Sequence, residues 1–222
     1  MSGWRTDGGT AIDRTKRLHF TFDGKPMTGF DGDTLASALL ASGERVLARS
    51  FKYHRPRGLW GYSGEEPNAI VDVQDGDHFT PTVRATPLAL RDGMLLRSVN
   101  TRPTAARDLN ALLDRLNRFL PAGFYYKTFI RFGWMRWEPM IRRMAGLGKI
   151  DPACHPEAHV AHRHARCDLL VIGAGPAGLA AARAAAQRGL SVYLVDEFDA
   201  VGGSLRWRGG EIDGRDWSHF AA

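Results

Sequence analysis

The apolar run Asp168-Leu169-Leu170-Val171-Ile172 leads straight into Gly173-Ala174-Gly175-Pro176-Ala177-Gly178. An alanine-rich stretch follows over 179–188 and stops at Gly189, and a second apolar run over 191–195 ends in Asp196-Glu197. Strand, glycine turn, helix, strand and acid in this order describe the first βαβ unit of a Rossmann-type α/β domain. The first run suits a parallel strand buried on both faces. Gly173 allows the tight turn out of the strand. Gly175 has no Cβ, so backbone can approach a pyrophosphate, and Gly178 lets the helix pack closely on the sheet. The small side chains from Ala180 to Ala186 keep that helix near its strands. Its first N–H groups and positive dipole end suit phosphate. Asp196 stands where a carboxylate can accept hydrogen bonds from ribose hydroxyls, and it would repel a 2′-phosphate. Gly202-Gly203-Ser204 lies in the next loop, where a second glycine turn often meets the cofactor. The candidate dinucleotide site is therefore Gly173, Ala174, Gly175, Pro176, Ala177, Gly178, Asp196, Glu197, Gly203 and Ser204. NAD is the first expectation and FAD the alternative, because these residues do not separate the two.

A complete domain of this kind takes about 150 residues, yet the chain runs only to Ala222. Two parallel strands and one helix leave an edge and much apolar surface uncovered. The reading is a truncated domain over 167–222 in an N-terminal piece of a longer protein.

Upstream, residues 1–16 read as a loose tail. Leu18, Phe20 and Phe22 alternate with polar neighbours, which marks a half-buried strand. Asp23-Gly24 is a hairpin turn signal, and 27–30 can return as the partner. Asp33 or Thr34 can cap a short helix whose stripe is Leu35, Ala38 and Leu39, with Gly43 as its stop. An arginine-rich loop follows over 49–64, then strands near 69–73, 83–90 and 94–99. The result is a small α+β module over 17–103. Leu109, Leu112, Leu113, Leu116 and Leu120 recur at spacings of three and four, which predicts a helix over 104–120 with one packed face. A helical segment and linker thus fill 104–166.

The net charge of +6 and pI of about 9.7 favour an acidic or phosphate-bearing partner without choosing one. Two cysteines, Cys154 and Cys167, form no disulfide framework and suit a reducing cytosol. No apolar run reaches the roughly 20 residues of a membrane span, and the amino terminus carries no signal-peptide pattern. The expected setting is cytoplasmic, with no membrane partner.

Four stretches carry a resemblance to a known family. They are Phe30-Asp-Gly-Asp-Thr-Leu-Ala-Ser-Ala-Leu-Leu40, Arg49-Ser-Phe-Lys-Tyr-His-Arg-Pro-Arg-Gly58, Phe119-Leu-Pro-Ala-Gly-Phe-Tyr-Tyr-Lys-Thr128, and Ala161-His-Arg-His-Ala165 leading into the glycine turn. With these the chain resembles the α subunit of bacterial heterotetrameric sarcosine oxidase over nearly all residues beyond the first 16. The resemblance implies a β-grasp, ferredoxin-like fold for the first module and NAD in the second. It implies flavins mainly in a β subunit, with FMN near the α/β contact, and smaller subunits completing a heterotetramer. The complex would demethylate sarcosine oxidatively to glycine and hydrogen peroxide and pass the one-carbon unit to tetrahydrofolate. The piece alone would be inactive, with no catalytic residue of its own.

Related α-type subunits of cyanide-forming and opine-oxidising enzymes keep ferredoxin-like cysteines in the long loop. A [2Fe–2S] cluster needs thiolates at spacings such as C-x4-C-x2-C plus a fourth. That spacing falls here on Trp60, Glu65 and Asn68, so the module reads as cluster-free and as a docking element. A docking subunit of another amine- or opine-oxidising flavoenzyme is the alternative function.

Other constellations favour plainer readings. Cys154, His155, His159, His162, His164 and Cys167 look like ligands, but Pro156 interrupts them, and no metal site is expected. Arg49, Lys52, His54, Arg55 and Arg57 among Phe51 and Tyr53 could grip RNA. Without an RNA-binding motif, an interface or internal ion-pair loop fits better, and no nucleic-acid partner is expected, a basic RNA-binding protein remaining the third function. The aromatics and arginines of 121–143 match the residues that anchor protein interfaces.

Overall fold

The computed structural model describes the chain except residues 1–2, 8–10, 120–122, 124–127, 131–132, 146–151, 153–161, 199, 207–210, 213 and 217–222. It divides into two units, Met1–Glu157 and Ala158–Ala222.

The first unit is built on a five-stranded sheet of β1 (Asp13–Phe22), β2 (Lys25–Asp31), β5 (Ile70–Asp75), β6 (His78–Arg84) and β7 (Leu95–Ser98). Their order across the sheet is β2-β1-β7-β5-β6. Two further strands, β3 (Ala48–Arg49) and β4 (Pro56–Arg57), pair with each other in the long loop. Strands β1 and β2 form the antiparallel hairpin expected around Asp23-Gly24, where both turn residues have positive φ. β1 runs parallel to β7, and β7 antiparallel to β5. This mixed sheet, with one helix covering it, is a ferredoxin-like arrangement.

Helix α1 (Leu35–Ala41) starts at Thr34, whose hydroxyl accepts the Ser37 N–H, and ends just before Gly43 at φ +87°. Its expected stripe is fully buried: Leu35, Ala38 and Leu39 join Phe20, Phe22, Leu47, Val71, Met94 and Leu96 in one core. Fully burying each large aliphatic or aromatic side chain contributes roughly 1.5–3 kcal/mol.

The structure differs from the sequence reading in five places. Strand β1 begins at Asp13, inside the stretch read as a tail, and Arg5 is anchored by both Asp33 oxygens at 3.1 and 2.6 Å. The strand placed at 83–90 is β6, which ends at Arg84; a hairpin turn at Gly76 (φ +57°) starts it early, and 85–90 form the return toward α1. There Ala85 O accepts the Ala36 N–H and Leu88 O the Leu35 N–H. Leu109–Phe119 is a 3₁₀ helix, and Leu109, Leu112 and Leu116 are 68, 59 and 50 % exposed. An amphipathic pattern states which side would be buried, not that a neighbour is there to bury it. Helix α2 (Trp134–Met144) then follows, with Phe129 against Trp137 at 4.9 Å between ring centroids.

The second unit holds β8 (Leu169–Ile172), α3 (Pro176–Ala186) and β9 (Val192–Val195), with β8 and β9 parallel. The fourth difference is here: β8 is not buried on both faces, and Ile172 is 81 % exposed. With one helix on a two-stranded sheet, alternate side chains have no cover among the described residues. The fifth is a short hairpin, β10 (Glu211–Ile212) with β11 (Arg215–Asp216), in a tail read as strandless; Gly214 at φ +72° makes its turn.

Candidate dinucleotide site

The site grows out of the C-terminal end of β8. Gly173 leaves the strand at φ +99°, a conformation that L side chains avoid. Gly175 caps α3 at φ −73° and Pro176 occupies its first turn. Glycine offers no side-chain cap and no acid lies in the first turn, so among the described residues its leading N–H groups have no side-chain acceptor.

The three glycines meet different surroundings. A Cβ on Gly178 would lie 1.8 Å from the Gly173 carbonyl oxygen, so only glycine lets the helix start so close to the strand. A Cβ on Gly175 would meet nothing within 4 Å. The space beside Gly175 is open at the helix start, and an anion can approach the backbone there. Ala174, between them, is buried, and Ala177 is exposed on the first turn.

The acid and the second glycine turn are tied to the first turn by contacts the sequence did not reveal. Asp196 accepts the Ala174 N–H through Oδ2 and the Phe198 N–H through Oδ1, the latter at 2.9 Å. These bonds, with a smaller one from Glu197, hold its carboxyl below the usual range against a weaker opposing push from burial. Asp196 is exposed, and each oxygen keeps a lone pair for a sugar hydroxyl. Gly202 N–H donates to Ala174 O at 2.8 Å. A Cβ on Gly203 would lie 2.9 Å from the Gly175 Cα, so the two glycine turns touch backbone to backbone. Ser204 follows in the 3₁₀ turn Gly203–Arg206, and Glu197 is exposed beyond β9. All ten expected residues thus gather at one end of the β8–β9 pair. The residues present fit a dinucleotide's pyrophosphate and ribose.

The other constellations resolve differently. Cys154, His155 and His159 lie outside the described residues, as do Phe124, Tyr125, Tyr126, Arg131 and Phe132. Among the described residues no group of three His, Cys, Asp or Glu is placed to hold a metal. The loop's arginines bond within the chain: Arg49 donates to Ala105 O and His54 O, and at the surface Arg55 donates to Asp114 and Arg57 to Asn68. His54 is buried, with Nδ1 2.7 Å from Asp108. Those contacts favour an internal ion-pair loop over an RNA grip.

Comparison with known proteins agrees with both units. Residues 15–101 match a family described as a 2Fe-2S iron-sulfur cluster binding domain, and residues 168–219 match the FAD dependent oxidoreductase family. The match gives FAD the support that NAD lacks. In fold, the chain is similar to an L-proline dehydrogenase from P. horikoshii, with a TM-score of 0.50 over 94% of this chain and 31% of that one, at 18% identity. The α subunit of sarcosine oxidase from Rhizobium meliloti (strain 1021) is 50% identical over 224 residues, covering 100% of this chain and 23% of that protein. The corresponding subunit from Corynebacterium sp. (strain P-1) is 39% identical, covering 92% of this chain and 17% of that protein. The chain therefore spans about a quarter or less of the length of these relatives. Over its whole length, the chain is similar to part of the α subunit of sarcosine oxidase from Rhizobium meliloti.

Proposed function

We propose that this chain is the N-terminal, dinucleotide-binding piece of an oxidoreductase subunit of the sarcosine oxidase type. The observation that carries the proposal is the open backbone at Gly175, at the start of an uncapped helix, with Asp196 holding the same turn. FAD is the first candidate ligand on the strength of the matched family, and NAD the second. Gly173, Gly175 and the leading amides of α3 would receive the pyrophosphate. Asp196 would accept from the adenosine ribose while fixing the Ala174 amide, and the Gly202-Gly203 turn would close the other side. A bound flavin would supply the redox chemistry; a bound NAD could serve structurally.

In the whole complex, the proposed reaction is oxidative demethylation of sarcosine to glycine, with hydrogen peroxide formed and the one-carbon unit passed to tetrahydrofolate. The proposed partners are a flavin-bearing β subunit and smaller subunits of a heterotetramer, in the cytoplasm. Among the described residues, no helix is long and apolar enough to cross a membrane.

The test is acid release and chromatographic identification of nucleotide from the intact parent subunit and its Gly175→Trp variant. Loss of bound nucleotide in the variant is expected. Full occupancy in the variant would refute the assignment of the site.

A further inference from the structure

The match of residues 15–101 to a cluster-binding family raises the question of whether the first unit fits an iron–sulfur cluster. It does not. Both cysteines of the chain, Cys154 and Cys167, lie outside the matched residues. Trp60, Glu65 and Asn68 stand at the cluster spacing, and Trp60 is 83 % exposed. No thiolate is available where a cluster would need three in one loop.

The loop is nevertheless tightly organised, and around a single group. Glu66 is 1 % exposed. Its Oε2 accepts the Trp60 N–H at 2.8 Å and also the Gly61 N–H, and its Oε1 accepts the Asn68 N–H at 2.8 Å. Amides from both sides of the loop thus converge on one carboxylate. Neighbouring bonds fix the rim: Thr86 donates its hydroxyl to Ser63 O at 2.7 Å, Arg84 donates to Gly64 O at 2.6 Å, and Arg57 donates to Asn68 Oδ1 at 3.1 Å.

Amides that converge on one point need an acceptor, and an anion is the best one. A thiolate-ligated cluster is such an anion in the proteins that keep it. We infer that the Glu66 carboxylate is the built-in anion of this loop, filling with a side chain the role that a cluster has in cluster-bearing relatives. The module is then a permanently cluster-free ferredoxin fold, held by its own acid and free to serve as a docking element. The position is Glu66 itself, beside Glu65 and not at it, so the carboxylate is an internal replacement and not a substituted ligand.

The titration of the group agrees. Burial pushes its carboxyl upward, but the amides of Gly61, Asn68, Trp60 and Ala69 outweigh burial and hold it below the ordinary glutamate value. A carboxyl lowered on folding stabilises the fold above its unfolded pKa of about 4.3 and loses that contribution as pH falls through the folded value.

Three measurements on the intact parent subunit test the inference. Iron and acid-labile sulfide are quantified after expression with cluster-assembly machinery and iron in excess. No stoichiometric sulfide is expected, and two irons and two sulfides per chain held by this unit would overturn the proposal. Melting is followed against pH for wild type and Glu66→Gln. The wild-type advantage is expected to be full at pH 6–7 and to shrink below about pH 4.5; equal melting at pH 7, or a gap that ignores pH, would overturn it. Should Glu66→Gln fail to fold, hydrogen exchange in the wild type decides. Protection of the Trp60, Gly61 and Asn68 amides is expected to hold between pH 6 and pH 5 and to fall selectively below about pH 4.3, after correction for intrinsic rates. Unchanged relative protection would overturn the proposal.

Discussion

Gly175→Ala and Gly178→Ala remove the same hydrogen and add the same methyl group, yet they are expected to fail differently. At 178 the new carbon would sit 1.8 Å from the Gly173 carbonyl oxygen. Ordinary contact requires about 3.5 Å, so the helix start must retreat by roughly 1.7 Å or the turn must open. The obstacle is backbone, which cannot rotate away as a side chain would. The cost belongs at the upper end of the overpacking range, about 3 kcal/mol. In a parent domain of 150–250 residues this lowers Tm by about 6–12 °C.

At 175 the new carbon meets nothing within 4 Å, and the residue sits at φ −73° and ψ −175°, where any L residue is comfortable. Replacing glycine there is expected to leave stability unchanged or to raise it by about 0.4–1 kcal/mol through the unfolded chain. The methyl group would, however, occupy the space proposed for the pyrophosphate. Loss of close approach is expected to weaken binding about 10–100-fold, or about 1.4–2.7 kcal/mol. Thermal melting of ligand-stripped parent subunit, beside calorimetric titration with FAD and NAD, reads both quantities. Equal melting losses in the two variants would refute the packing argument. Unaltered nucleotide affinity in Gly175→Ala would refute the placement of the pyrophosphate.

Asp196→Asn keeps the size of the side chain but turns one acceptor into a donor that faces the Ala174 or Phe198 N–H. Its nucleotide affinity is expected to fall about tenfold, the scale of one charge-assisted hydrogen bond; unchanged affinity would remove Asp196 from the site. Because the Asp196 carboxyl titrates lower in the folded chain than in the unfolded one, its stabilising share is present above about pH 4 and fades below it; the low-pH melting difference between wild type and Asp196→Asn should narrow accordingly. Arg5→Ala leaves the fully buried Asp33 side chain, among the described residues, with the Phe30 N–H and Ser37 hydroxyl as partners. A loss of about 3–5 kcal/mol is expected in urea unfolding, and an unchanged midpoint would show that the Arg5–Asp33 pair contributes nothing to this fold.

What could be read from the sequence was whatever depends on local pattern. The alternation Leu18, Phe20, Phe22 and the Asp23-Gly24 turn specify a hairpin almost by themselves, because period and turn chemistry agree. The α1 stripe is equally local. The glycine spacing announced the helix start, since each glycine answers a separate steric demand. Contacts between distant residues were invisible in the same sequence. Nothing near Arg5 signals Asp33, and nothing in Glu65-Glu66 says which acid turns inward. The Leu109–Phe119 segment failed for a related reason: its leucines have helical spacing, but burial depends on a neighbour that the pattern does not name. Gly202-Gly203 was placed near the cofactor by its loop position, whereas its direct packing on Gly175 depends on a backbone approach that only coordinates reveal.

The two units meet one physical problem and resolve it in opposite ways. In each, backbone N–H groups converge where the chain has no secondary-structure partner for them. In the first unit Glu66 turns inward and satisfies the amides of Trp60, Gly61 and Asn68 from within, so the loop is complete without any ligand. In the second, among the described residues, Asp196 takes the Ala174 amide of the turn, and the leading amides of α3 have no side-chain cap. An acceptor supplied by the chain closes one loop; an acceptor withheld leaves the other ready for phosphate. The same accounting of amides that argues against a cluster in the first unit argues for a dinucleotide in the second. A glutamate introduced at the start of α3, as in Ala177→Glu, would convert the second solution into the first. Its carboxylate can reach back to cap the helix, so the fold should melt no lower than wild type while nucleotide binding is lost. If that variant kept its nucleotide, the free amides of α3 could not be what the ligand uses.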